Sequence, residues 1–184
     1  MKSPKSLVIL GGAGALGKGV VTRFINRFSV LSIDYAKNEN APFNFVLDHD
    51  LTLESQISPL CEVINSELNA DKWYLIFKIR GVDSIICTAG GFVAGSGKDD
   101  DVFAKWEVMN NQLVKSSLLT YHLASLFLKP KGICIFLGAH AAFKDTSPEM
   151  LAYHTGKVAT HNIALNLANS KDLAEGARVL TILP

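Results

Sequence analysis

Tyr153 and Lys157 stand four residues apart, in Tyr-His-Thr-Gly-Lys, and on a helix they would share one face. A tyrosine with a pKa of about 10 is a poor acid–base group at neutral pH. A lysine cation one turn away stabilises the phenolate and lowers that value. Such a pair can pass a proton to a substrate that is receiving a hydride. The spacing itself is common, and the chain repeats it at Tyr74 and Lys78. For Tyr153 and Lys157 the competing reading is an ordinary exposed pair. Ser147, Pro148 and Glu149 make a good helix start ahead of Tyr153, whereas Tyr74 lies in a bulky apolar run that reads as packing.

A second group could hold the hydride donor. Gly11-Gly12-Ala13-Gly14-Ala15-Leu16-Gly17 carries G-x-G-x-x-G at Gly12, Gly14 and Gly17. The run before it is strand-like and the run after it helical, which is the context this pattern needs. Glycines let the main chain approach a pyrophosphate, and the free N–H groups at the helix start favour the anion. The alternative is a glycine turn with no ligand. Asp34 follows Gly14 by 20 residues and ends the next strand-like run. An acid there can bind the adenosine ribose hydroxyls and would repel a 2′-phosphate. NADH is therefore expected over NADPH, although Lys18 and Lys37 lie near enough to keep NADPH as the less favoured cofactor. Asp50 fits either a partner for the adenine amino group or the N-cap region of the helix starting near Leu53.

The elements that must position these groups alternate. Strand-like runs cover 6–10, 30–33, 43–47, 82–88, 132–137 and 177–183. Helical periodicity covers 15–28, 53–68, 102–128 and 150–168. Strands alternating with helices imply right-handed crossovers and a doubly wound α/β sheet of Rossmann type, parallel, with helices on both faces. The stretch 70–81 reads as either a helix extension or an extra strand.

The whole chain, 1–184, reads as one nucleotide-binding domain. Hydrophobic residues make up 48% of it, enough for a sizeable core. The net charge of +1 gives no footprint for nucleic acid or an anionic membrane. No apolar run approaches the ~18 residues of a membrane span, and the N-terminus has no secretory apolar region. Three cysteines, Cys61, Cys87 and Cys134, form no CxxC and read as small hydrophobes in a reducing cytoplasm. The five histidines show no i,i+4 pair and no carboxylate cluster, so no metal site is expected. His140 reads as a loop or partly buried histidine, with approach to the substrate as the lesser reading. Gln112 reads as a solvated or helix-packing polar residue, with support of the site as the lesser reading. Lys98–Asp101 reads as a charge cluster capping the long helix.

Taken together, these residues resemble the short-chain dehydrogenase/reductase family, and more narrowly its dihydropteridine reductases. The likeness is carried by 11–17 (GGAGALG), 82–91 (VDSIICTAGG), the His-Leu-Ala of 122–124, 138–142 (GAHAA) and 146–157 around Pro148, Met150 and Tyr153. It implies Tyr153 and Lys157 as the catalytic pair. It implies cofactor contacts at Gly11, Gly14, Ala15, Leu16, Gly17, Asp34, Tyr35, Asp50, Ala89, Gly90, Gly91, Lys157 and Pro184. It implies substrate contacts at Phe92, Ala139 and Tyr153. Many members of the broad family carry a serine where Ala139 stands, and the narrower group carries alanine. A hydroxyl there polarises a carbonyl, and a quinonoid pterin is already primed for hydride and needs less of that help. The resemblance thus implies NADH-dependent reduction of quinonoid dihydrobiopterin to tetrahydrobiopterin. The alternatives are another short-chain carbonyl reductase and a non-catalytic NAD(H)-binding sensor. Relatives usually show tryptophan where this chain has Phe92. The family's C-terminal substrate loop, last helix and last strand do not follow Pro184, so a longer protein is expected. In the family the helices matching 102–128 and 150–168 form a dimer interface, and a homodimer is expected here.

Overall fold

A computed structural model of the chain describes residues 5–68, 81–144 and 147–184. Residues 70–80, with Tyr74 and Lys78, lie outside the described residues, as does Thr146.

Six strands form one sheet in the order β3-β2-β1-β4-β5-β6: β1 Lys5–Leu10, β2 Phe28–Asp34, β3 Phe43–Val46, β4 Val82–Cys87, β5 Leu128–Leu137 and β6 Arg178–Ile182. Every neighbouring pair is parallel. The doubly wound sheet expected from the alternation is therefore present. Its order reverses between β1 and β4, so the loops after those strands diverge and open a crevice at their carboxyl ends.

The residues of β1 alternate between two cores. Leu7 and Ile9 pack with Val21 of α1 (Ala15–Phe24) on one face. Val8 and Leu10 face α2 (Leu53–Val63) and α4 (Ser116–Phe127) through Leu60, Leu119 and Leu123. The last turns of α6 (Leu151–Ala168) join that second core through Ala164 and Leu167. Fully burying each such side chain contributes about 1.5–3 kcal/mol.

Several boundaries differ from the sequence reading. The first helix ends at Phe24, and Phe28 opens β2, because the apolar spacing at Phe24, Ile25 and Phe28 suits either period. The helix expected over 102–128 is α3 (Val102–Met109), a π-helical stretch Asn110–Lys115, and α4. Strand β5 starts four residues before Gly132, with Lys131 at a φ of 62° and an irregular register between Val82 and Ser84. No helix among the described residues is long and apolar enough to cross a membrane.

Candidate active site

A cleft of about 1130 Å³ opens over the carboxyl ends of β1, β2 and β4. Its floor is the glycine turn. Gly11 has a φ of 78°, and a Cβ there would fall on the Ala89 backbone, so only glycine fits. Gly17 packs beneath the Gly11 carbonyl with no room for a side chain. Gly14 is the N-cap of α1 and no side chain caps that helix, which leaves its first amides without intrahelical partners.

Asp34 ends β2 and faces the turn. Its Oδ2 accepts from the Ala13 N–H at 2.8 Å and its Oδ1 from the Tyr35 N–H at 2.7 Å. Each oxygen keeps a lone pair for a further donor. Asn38, buried, donates to the Gly12 carbonyl at 2.7 Å and braces the turn from below. Periodicity gave no hint of Asn38, because its partner is 26 residues away.

Gly11, Gly14, Asp34, Tyr35, Asp50, Ala89 and Gly90 all line the cleft. Asp50 does not cap α2. Thr52 does, through its hydroxyl and the Ser55 N–H, so Asp50 remains on the cleft wall. His49, which the sequence reading passed over, stacks on Tyr35 with ring centroids 4.0 Å apart and planes 13° apart. Asn111, Gln112 and Lys115 complete the wall from the π-helical stretch. Gln112 packs directly against Gly91, whose missing side chain makes the space. Ala15 and Leu16 belong to the first turn of α1, and Leu16 is exposed.

Beyond Gly90 lie the two residues of the proton-transfer pair. A Cβ at Gly90 would stand 3.9 Å from Lys157 Nζ, which marks how close the cleft runs to that amine. Lys157 is buried, donates to the Leu137 carbonyl at 2.8 Å, and lies 5.9 Å from the centre of the Tyr153 ring. Burial pushes the Lys157 ammonium below its ordinary pKa, and the Cys87 thiol pulls the other way. Burial also pushes the Tyr153 phenol above its ordinary value. This corrects the sequence expectation of a lowered tyrosine. The ammonium is bonded to a carbonyl and sits over the ring, and desolvation of the phenolate wins.

Phe92 stands edge-on to Tyr153, centroids 5.1 Å apart and planes at 72°, and over half of it is exposed. Ala139 is buried just past β5, and its N–H donates to His161 Nε2 at 3.1 Å. The Pro184 carbonyl accepts from the His140 N–H at 3.4 Å.

Two sequence readings need correction. Met150 is the N-cap of α6, without a side-chain bond, so Ser147 is no cap. The helix start is held by backbone instead: Gly95 donates to the Glu149 carbonyl and accepts from the Leu151 N–H. The acids of 98–101 do not cap α3 through side chains either. Asp99 and Asp101 grip Lys105 at 2.7 and 2.8 Å. Among the described residues no cluster of histidine, cysteine or acid could hold a metal.

No family model matches the chain. The dihydropteridine reductase of Dictyostelium discoideum is 33% identical to it over 186 residues, covering 98% of this chain and 73% of that one. The chain belongs to the short-chain dehydrogenase/reductase family. The solved structures agree at the level of fold. A short-chain dehydrogenase family protein from Francisella tularensis superposes with a TM-score of 0.75 at 23% identity, over 99% of this chain and 69% of that one. BdcA in complex with NADPH superposes with a TM-score of 0.71 at 18% identity, over 98% and 70%. The protein is thus an oxidoreductase of this family, and the family's chemistry is nicotinamide-dependent reduction.

Proposed function

We propose that the protein reduces a quinonoid dihydropterin to the tetrahydropterin with NADH, Tyr153 supplying or relaying the proton. The aromatic pair beyond the Gly90 side of the cleft carries this reading: the exposed Phe92 ring meets the Tyr153 phenol edge-on. A flat ring beside a proton donor suits a planar, conjugated substrate. Ala139 offers no hydroxyl to polarise a carbonyl, and the Dictyostelium relative is named for pteridine reduction.

The residues present fit a dinucleotide. Gly14 lines the cleft, the α1 amides are uncapped, and the Asp34 carboxylate keeps acceptor capacity at the β2 end. Gly11, Gly14 and Gly17 with the first turn at Ala15 and Leu16 would hold the pyrophosphate, Asp34 the adenosine ribose, and Tyr35 and Asp50 the adenine side. Ala89, Gly90 and Gly91 would let the backbone pass the nicotinamide half. When bound, the cofactor supplies the hydride. Asp34 favours the cofactor with a free 2′-hydroxyl, because its charge would repel a 2′-phosphate. Lys157 anchors the β5 end and sets a positive charge over the Tyr153 ring. A phenol carries its proton at neutral pH in any case, and burial of Tyr153 moves its pKa further up.

Exposed apolar side chains on α3, α4 and α6, among them Phe103, Leu118, Val158 and Leu165, support a homodimer through these helices. The buried thiols of Cys87 and Cys134 suit a reducing cytoplasm.

The test is NADH oxidation with freshly generated quinonoid dihydropterin, beside NADPH and a panel of aldehydes and ketones. Turnover on the pterin with preference for NADH is expected. A rate no faster than background, with NADH bound, overturns the reading. Turnover on carbonyls alone moves it to a carbonyl reductase.

A further inference from the structure

The Tyr153–Lys157 spacing continues for one more turn. His161 lies four residues past Lys157 and eight past Tyr153, on the same face of α6. The chemistry above uses the first two side chains and leaves the third without a task.

His161 reaches across to the end of β5. Its Nε2 accepts from the Ala139 N–H at 3.1 Å. Gly138 makes the approach feasible, since a Cβ there would fall on the imidazole and on Leu183. Phe143, in the short helix α5 (Ala141–Lys144), covers the ring with centroids 4.5 Å apart and planes 15° apart. Two residues before Ala139, the Leu137 carbonyl accepts from Lys157 Nζ at 2.8 Å. Successive turns of one helix therefore grip a carbonyl and an amide of the same strand end, one as donor and one as acceptor. Opposite polarities at two points fix both the height and the rotation of that segment.

We propose that His161 is a positioning residue: by accepting from the Ala139 N–H it holds the β5 end, and with it the substrate wall assigned to Ala139, in register with the Tyr153–Lys157 face. The inference rests on the site assignment made under the proposed function.

The acceptor role needs a neutral ring with Nε2 unprotonated. Burial, and then the Lys157 ammonium, push His161 below the ordinary histidine value. The groups packed on it are Gly138 and Ala139 just past β5, Phe143 from α5 and Leu183 after β6, none of which ionises. Lys157 is the charged group of α6 that bears on it, and His140, next to Ala139, is exposed. Protonation of Nε2 would set one N–H against another. The bond is intact above the folded-state pKa of His161 and is lost as pH falls through it.

Two variants and one spectrum test this. His161→Phe keeps a ring for Phe143 but removes the acceptor, and kcat should fall about tenfold with the NADH Kd unchanged. His161→Gln offers an amide oxygen that accepts but does not titrate. It should recover most of that loss and flatten the acid limb of the kcat–pH profile. In the labelled wild-type protein, the Ala139 amide resonance should move with the His161 ring, at a midpoint below ordinary histidine. A glutamine variant as slow as the phenylalanine one, or an Ala139 amide that ignores the His161 titration, overturns the proposal. If His161→Phe does not fold, the glutamine profile and the amide titration decide. If the wild type does not reduce the pterin, the function reading fails, and the amide titration still judges His161 alone.

Discussion

The glycine turn floors the cleft, the Tyr153 helix stands beyond its Gly90 side, and the two are held in different ways. Around the turn, short polar side chains from β2 and the loop after it meet main-chain groups one by one: Asp34 takes the Ala13 N–H, and Asn38 gives to the Gly12 carbonyl. Around Tyr153, long side chains of α6 reach to the end of β5, and the phenol itself meets an aromatic edge. The difference follows from the tasks. A pyrophosphate is bound by backbone amides, so the backbone must be placed rigidly and glycine is demanded where a Cβ would collide. A proton donor must keep its hydroxyl for the substrate, so the surrounding structure positions it through other residues.

The largest break in this comparison should come from Gly11→Ala. A side chain at a φ of 78°, driven against the Ala89 backbone, should cost about 2–4 kcal/mol by denaturant unfolding and abolish NADH binding by fluorescence titration. A stable variant that still binds NADH would show that the turn tolerates a shift. Asp34→Ser comes next. Removing a carboxylate that accepts two amide bonds should weaken NADH by about tenfold and bring NADPH closer, as read from the two KM values. Unchanged selectivity would remove Asp34 from its role.

These positions also show what was legible in the sequence. The alternation of runs was enough for the parallel order, because strands with helical crossovers admit few topologies. The glycines and Asp34 were legible because their roles are local: a turn, a strand end, a fixed offset. The Asn38 brace and the His161 bond were not, since each joins residues 22 or more apart that share no pattern. The π-helical stretch was hidden for a different reason. Its apolar spacing fits a continuous helix, and spacing does not report the hydrogen-bond period the backbone adopts. The tyrosine's pKa direction was misread because charge is visible in a sequence and burial is not.

The smallest effect lies away from the cleft, at the amino ends of the strands. Burial raises the Asp83 carboxyl, but the Ser6 N–H, the Lys129 ammonium and the Ser6 hydroxyl together hold it below its ordinary pKa. Its contribution is complete above the unfolded-state value and fades as pH falls through the folded one. Asp83→Asn should therefore cost about 1 kcal/mol near pH 7, a gap that narrows below about pH 4, with kcat unaltered. A gap that widens in acid would contradict this sign.

The most direct test of the division between the two regions is Tyr153→Phe, assayed for both NADH affinity and turnover of quinonoid dihydropterin. The account expects the NADH Kd to stay within about twofold of wild type and kcat to fall at least about a hundredfold. A variant that turns over at the wild-type rate, or one that loses NADH affinity in step with kcat, would contradict it.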